Sequence, residues 1–357
     1  MAFPSKPLTQ LLGSNGPVHA LTYSSSPSTY ILTGSADRTI RLYNPSRPAG
    51  AATASSTNSL EPPRATQLIQ SYSAHGYEVL DIAVARDNAT FASVGGDRNV
   101  FLWDVSTAQT IRRFGGSHGH SRRVNSVTLA GVDDALLISG SFDASVRIWD
   151  RKASGHKPVM VLEDARDSIS CVLVGAGPRA EFEIVSGSVD GRVRYYDLRM
   201  GRLDTDVIGA PVTSLARTRD GKALLVGALD STIRLMNREA GGLLKAYKDG
   251  GWKNDEFRVR SSFGGNERWL LSGNEDTSRC TAGDGEVIVW ETLTGVAVER
   301  IRVPGVPGDG GKKRIGADGK VKERKNVISC VAWKDNGRAD QWCCAGTDGV
   351  VTVFGPD

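Results

Sequence analysis

His120, Ser139 and Asp143 fall within one short stretch, "HSRRVNSVTLAGVDDALLISGSFD" (120–143). A histidine between a serine and a carboxylate is the equipment of nucleophilic hydrolysis: the imidazole takes the hydroxyl proton and the carboxylate orients the imidazole. That chemistry needs a strained, exposed serine beside an oxyanion pocket, as at a nucleophile elbow. Ser139 occupies no such elbow. It stands inside "LLISGSFD" (136–143), an apolar strand pattern. His75, Ser93 and Asp97 repeat the same set upstream, and a repeated group is seldom a unique active site.

Other chemistry finds less support. The run "PGDGGKK" (307–313) has glycines and lysines without the G-x-x-x-x-G-K-[ST] spacing of a phosphate loop. There is no H-E-x-x-H and no Cys/His cluster with zinc spacing. His19, His118 and His156 stand alone, and "EDARD" (163–167) lacks ion-loop spacing. The sequence therefore predicts no enzyme, no metal and no cofactor.

The elements that would carry these residues recur seven times. "SADRTIRLYN" (35–44) is followed by "GGDRNVFLWD" (95–104), "SFDASVRIWD" (141–150), "SVDGRVRYYD" (188–197), "ALDSTIRLMN" (228–237), "AGDGEVIVWE" (282–291) and "GTDGVVTVFG" (346–355). The aspartates are residues 37, 97, 143, 190, 230, 284 and 348. Six positions after each stands a large residue: Tyr43, Trp103, Trp149, Tyr196, Met236, Trp290 and Phe354. Apolar residues at the third and fifth positions give a period of two, the mark of a strand. The Asp-containing step between two apolar runs reads as a tight hairpin turn. Each unit is thus expected to be a hairpin with a buried outgoing strand.

Composition agrees. The 357 residues are 39% apolar and 24% charged, with 41 glycines, which favours many turns over long helices. A net charge of +4 is too small to argue for nucleic-acid binding without a clustered stripe. The N-terminus has no signal-peptide run, and no stretch approaches a membrane span. Five cysteines form no CxxC pair, which suits free thiols in a reducing compartment. Cys343 and Cys344, adjacent in an apolar strand pattern, read as buried packing residues.

The repeat pattern resembles the WD-repeat family, whose unit of about 40–45 residues forms one four-stranded propeller blade. The resemblance covers essentially the whole chain and implies an all-β fold: a single seven-bladed WD-repeat β-propeller over 1–357. Three insertions explain the wider spacings. They are 45–65, which its Ala, Ser and Pro content marks as disordered, 274–286 in the sixth hairpin turn, and 303–325 between the last two units. The chain stops three residues after Phe354, so "LTQLL" (8–12) is expected to supply the missing strand of the seventh blade and close the ring. The resemblance also gives the His–Ser–Asp sets a role. His75, Ser93, Asp97 and Trp103, and His120, Ser139, Asp143 and Trp149, match the family's structural hydrogen-bonded groups. The other five units lack the histidine and are expected to keep only the Asp turn.

"SAHGYEVLDIAV" (73–84), "LEDARDSISCV" (162–172) and "GSVDGRVRYYDLRMGRL" (187–203) more closely resemble the mitogen-activated protein kinase organizer family. That resemblance implies a non-catalytic scaffold in the nucleus and cytoplasm, serving a MAP kinase module or the spliceosome, monomeric within a complex and away from membranes. "YDLR" (196–199) approximates the Trp-Asp-x-Arg ending of receptors for cullin-type ubiquitin ligases, which leaves a substrate receptor as the alternative.

Partners of propellers commonly use the face bearing the hairpin turns and the connections between blades. Residues there that the fold does not demand are Tyr77, Glu78, Arg122, Arg123, Phe142, Arg166, Asp167 and Trp252. Aromatic and arginine side chains are favoured interface anchors. Each could also pack on its own blade, Trp252 as core. "KKRIGADGKVKERK" (312–325), opening with Lys312, Lys313 and Arg314, carries seven basic residues against Asp318 and Glu323. It could track RNA phosphate or an acidic protein, or be a solvated insertion.

Overall fold

Alternation at period two places every second side chain of a strand on the same face, and the chain uses that rule to build seven four-stranded blades. The computed structural model describes residues 3–48, 64–175, 182–280, 283–305, 314–315, 321–322, 326–334 and 340–356. Five blades are simple four-stranded antiparallel meanders. In the third, Val124–Ala130, Leu136–Ser141, Val146–Asp150 and Met160–Leu162 follow in order from the channel outward. The repeated motif is the turn and outgoing strand of the middle hairpin, as the spacing predicts. Among the described residues the only helices are two single 3-10 turns, and no helix is long and apolar enough to cross a membrane.

The first and seventh blades share one eight-stranded sheet. Lys6–Leu11 pairs antiparallel with Val351–Gly355 and completes the seventh blade, as expected of the 8–12 segment. It also pairs in parallel with the outermost strand of the first blade, Thr9 opposite Arg64 and Leu11 opposite Thr66, which the sequence did not suggest. Phe3 inserts beyond this strand among Trp269, Trp333 and Trp342, and Trp342 donates its indole N–H to the Pro4 carbonyl at 2.7 Å. The seam is therefore both hydrogen-bonded and packed.

Adjacent blades meet through apolar side chains. Ala20, Leu32, Ile40 and Tyr72 of the first blade form one cluster with Val79, Ile82, Phe91, Phe101 and Trp103 of the second. Burying each such aliphatic side chain contributes about 1.5–3 kcal/mol. Gly140 shows how close the approach is: a Cβ there would stand 2.5 Å from the Ile169 side chain of the next blade. The residue after the turn aspartate adopts positive φ in six turns, at Arg38, Arg98, Ala144, Gly191, Ser231 and Gly349. This left-handed position explains the recurrent Asp-Gly.

The insertions are shorter than their composition suggested. Ile40–Pro48 and Arg64–Tyr72 are strands, so the first insert begins after 48 and ends before 64; residues 49–63 lie outside the described residues. The long connection in the sixth blade ends where the strand Gly285–Glu291 begins, and 281–282 lie outside the description. Asp284 is consequently not in a tight turn. It accepts the Gly305 amide and pairs with Arg302. In the basic segment, Arg314–Ile315 pairs with Val321–Lys322 as a two-residue ladder, and Lys312 and Lys313 lie outside the described residues. All five cysteines are free, with Cys343 and Cys344 fully buried.

Candidate interaction face

The strand Leu136–Ser141 carries Ser139 inward, and its partner Val146–Asp150 brings Trp149 beside it. Trp149 donates its indole N–H to Ser139 Oγ at 2.8 Å, and Ser139 Oγ lies 2.8 Å from His120 Nε2. His120 Nδ1 lies 3.0 Å from Asp143 Oδ2, which also accepts the Ser121 amide at 2.9 Å. The second blade repeats this. Trp103 donates to Ser93 Oγ at 2.8 Å, and His75 bridges Ser93 at 2.7 Å and Asp97 at 2.5 Å. Both expected groups are thus assembled.

Their electrostatics fit a fastening. Burial alone would raise the Asp143 carboxyl, but hydrogen bonds from His120, Ser145 and the Ser121 amide hold it well below the usual range. Burial pushes His120 below its ordinary value against the pull of Asp143. A neutral imidazole then donates from Nδ1 to the carboxylate and accepts the serine proton at Nε2. Ser139 has no exposed surface, and its oxygen already accepts the indole N–H, so no acyl group can reach it. The run "GGSHG" (115–119) has G-x-S-x-G spacing, but its Ser117 sits in the 3-10 turn Gly116–His118 between blades and not at a strand-to-helix elbow.

Three of the blades without this histidine substitute an arginine that the sequence reading overlooked. Arg41 binds Asp37 through both terminal nitrogens, at 3.1 and 2.7 Å; Arg194 and Arg234 bind Asp190 and Asp230 likewise. The signal was legible as an arginine four residues after the aspartate in "DRTIR", "DGRVR" and "DSTIR". In the seventh blade Asn326 donates to Asp348 at 3.0 Å. In the sixth, Glu275 takes the amides of Asp255, Glu256 and Phe257.

In each of four blades the turn aspartate ties down the connection entering its own blade, through the amides of Asn15, Gly76, Ser121 and Arg166. This fixes the face on which the candidate residues lie. Tyr77 is 61% exposed and Phe142 41% exposed. Arg122, Arg123, Arg166 and Asp167 are exposed, and Glu78 is half-buried. The Phe142 amide binds the Arg123 carbonyl at 3.0 Å, while the guanidinium groups of Arg123 and Arg122 stand 5.0 and 5.8 Å from its ring. Such cation–π contacts orient the arginines without covering the ring.

Trp252 departs from its expected role at the surface. It is 4% exposed, meets Trp290 edge to face at 5.5 Å, and donates to the Gly273 carbonyl. The chain entering the sixth blade packs among Leu225, Tyr247, Leu270 and Trp290, and Trp252 fills that space with its polar atom satisfied. Conversely, Val189 and Phe257 are exposed apolar residues in comparable connections that the sequence reading missed. Val189 holds the position of Phe142, one before the turn aspartate, so comparing that position across all repeats would have found it.

The family described as "WD domain, G-beta repeat" matches residues 5–44, 66–104 and 109–150. "WD repeat domain-containing protein 83" of Rattus norvegicus is 38% identical over 292 residues, covering 82% of this chain and 81% of that protein. The protein of the same name in Homo sapiens is also 38% identical over 82% of this chain and 81% of its own length. "WD repeat domain-containing protein 83 homolog" of Dictyostelium discoideum is 29% identical over 314 residues, 82% of this chain and 86% of that protein.

Proposed function

The chain belongs to the family of WD repeat domain-containing protein 83, and from that premise we propose that it is a non-catalytic scaffold, foremost within the spliceosome. WD-repeat proteins act as protein-interaction scaffolds, and the fold is generally non-catalytic. One observation supports this reading most: Phe142 is 41% exposed on the turn face, flanked by the guanidinium groups of Arg122 and Arg123. Aromatic and arginine side chains of this kind anchor protein interfaces.

The resemblance of "HGYEVLD" and "DGRVRYYDLRMG" to the kinase organizer family supports two assemblies, the spliceosome and a MAP kinase module. We favour splicing, because that role does not depend on a particular kinase cascade. The same reading has the chain monomeric within its complex and present in nucleus and cytoplasm, with 312–325 able to meet RNA phosphate. The test is capture of the tagged chain from nuclear extract followed by mass spectrometry. Splicing factors are expected in the wild-type eluate and lost with Phe142→Ala. An eluate without splicing factors contradicts the spliceosomal reading.

A second reading is a substrate receptor of a cullin-type ligase. Arg199 supports it: it is exposed, and its amide is fixed by Asp197 at 3.0 Å. Co-purification of a ligase that is lost with Arg199→Ala supports this alternative, and absence of any ligase excludes it.

A further inference from the structure

Two arginines cross the central channel, and one carboxylate answers them. Arg260 reaches from the sixth blade to the second, donating to Asp81 Oδ1 at 2.8 Å and to the Leu80 carbonyl at 3.0 Å. Arg258 reaches the third blade, donating to the Asn125 carbonyl at 2.7 Å, and the fifth, where it meets the Thr213 carbonyl at 3.4 Å. Arg41, Arg194 and Arg234 each bind a carboxylate; among the described residues Arg258 donates to carbonyl groups. Asp81 cannot serve both arginines, since its second oxygen takes Ser126 Oγ at 2.7 Å and the Val127 amide at 3.0 Å.

The two arginines line a cavity of about 540 Å³ within the channel. Arg86 and Arg217 line the same cavity, and among the described residues its carboxylates are Asp81 and Asp134. Arg258 and Arg260 are half-buried, whereas Arg86 and Arg217 are exposed and Arg86 lies 3.5 Å from Asp134; four guanidinium groups against two carboxylates leave an excess of two positive charges along the cavity lining. Arg217 stands four residues beyond Thr213 on one strand, so its backbone lies roughly 13 Å along the channel from the carbonyl that Arg258 meets. Burial holds His19 below its ordinary pKa, with Arg260, Arg258 and Arg123 adding to it against the pull of Glu78, so the imidazole adds no positive charge of its own. A cleft lined by charge of one sign concentrates ions of the other, and a phosphate group carries about −1.5 to −2 with three acceptor oxygens. Guanidinium groups match that geometry.

We propose that the central channel binds a small polyphosphorylated molecule, with one phosphate at Arg258 and Arg260 and a second toward Arg217 and Arg86. The site does not depend on the scaffold reading. Isothermal titration of the full chain with inorganic tripolyphosphate tests it. One molecule is expected to bind per chain, with Arg258→Gln weakening affinity at least tenfold and Arg217→Gln less. Arg98→Gln, on the exposed turn of the second blade, leaves it unchanged. Tripolyphosphate should also raise the melting temperature of the wild type more than that of Arg217→Gln, a readout that survives if Arg258→Gln folds poorly. No binding at 1 mM-scale ligand, about the weakest affinity worth assigning to a site, overturns the proposal. So does affinity that persists in both channel variants, or that disappears with Lys312→Ala and Lys313→Ala instead. Tighter binding of hexaglutamate than of tripolyphosphate would assign the channel to an acidic peptide and overturn it equally.

Discussion

Trp149 donates its indole N–H to Ser139 Oγ at 2.8 Å, and Trp103 makes the same bond to Ser93 at the same distance in the neighbouring blade. The serine of each apparent catalytic set is held on one side by tryptophan and on the other by histidine. A sealed hydroxyl of this kind fastens the outgoing strand to the middle of its blade and to the connection above it.

Removal of Ser139 Oγ leaves the buried Trp149 N–H and His120 Nε2 without partners. Ser139→Ala is expected to cost about 1–3 kcal/mol, the penalty of stranding buried polar groups. Urea denaturation measures it. Partner capture by the folded variant should match wild type, whereas loss of a defined catalytic activity in a well-folded Ser139→Ala chain would restore the hydrolase reading.

Asp37 gives a pH signature. Burial opposes its ionisation, but Arg41, the Asn15 amide and Ser35 bring its pKa down to about 2. Its unfolded value is about 3.9. A carboxyl depressed in the folded state stabilises fully above the unfolded value, and that contribution is lost as pH falls through the folded one. The stability difference between wild type and Asp37→Asn should therefore be constant above about pH 5 and shrink between about pH 4 and 2. A difference that grows on acidification contradicts this assignment.

The Arg260–Asp81 pair joins the sixth and second blades across the channel. Arg260→Met strands a carboxylate that is 5% exposed and is expected to destabilise by about 3 kcal/mol. Asp81→Leu combined with Arg260→Met should recover much of that loss, because an apolar pair leaves no orphan charge. Thermal unfolding of the two single variants and the double variant supplies the cycle.

The ring seam depends on its first strand. Leu11→Ala removes a side chain that is 1% exposed in the cluster shared by the first and seventh blades, with an expected cost of about 2–5 kcal/mol. Deleting residues 1–11 also opens strand edges on both blades, and light scattering should show aggregation of that variant.

Much of the fold is legible in the sequence. Seven aspartates in register with seven large residues fix the blades, because a period of two and a hairpin turn leave little freedom in how each unit folds. The His–Ser–Asp–Trp groups were legible for the same reason: a strand register that repeats carries its side chains with it. What escaped reading depends on distance around the ring. Arg258 and Asn125 are 133 positions apart and meet only because the blades close on a common channel. The parallel pairing of Thr9 with Arg64 likewise has no periodic signal. Trp252 was ambiguous because the longer connection into the sixth blade shifts the position at which a buried aromatic is needed. The arginines at 41, 194 and 234 were present as a pattern, but an arginine on a strand reads as surface charge until its carboxylate is placed beside it.

The central claim is that the turn face, and not the buried serines, carries the function. Quantitative affinity capture from nuclear extract, comparing wild type, the triple variant Arg122→Ala/Arg123→Ala/Phe142→Ala and Ser139→Ala, tests it most directly. The account predicts that the triple variant melts like wild type but loses its partners, while Ser139→Ala melts lower and keeps them. A triple variant that folds normally and retains every partner would contradict it.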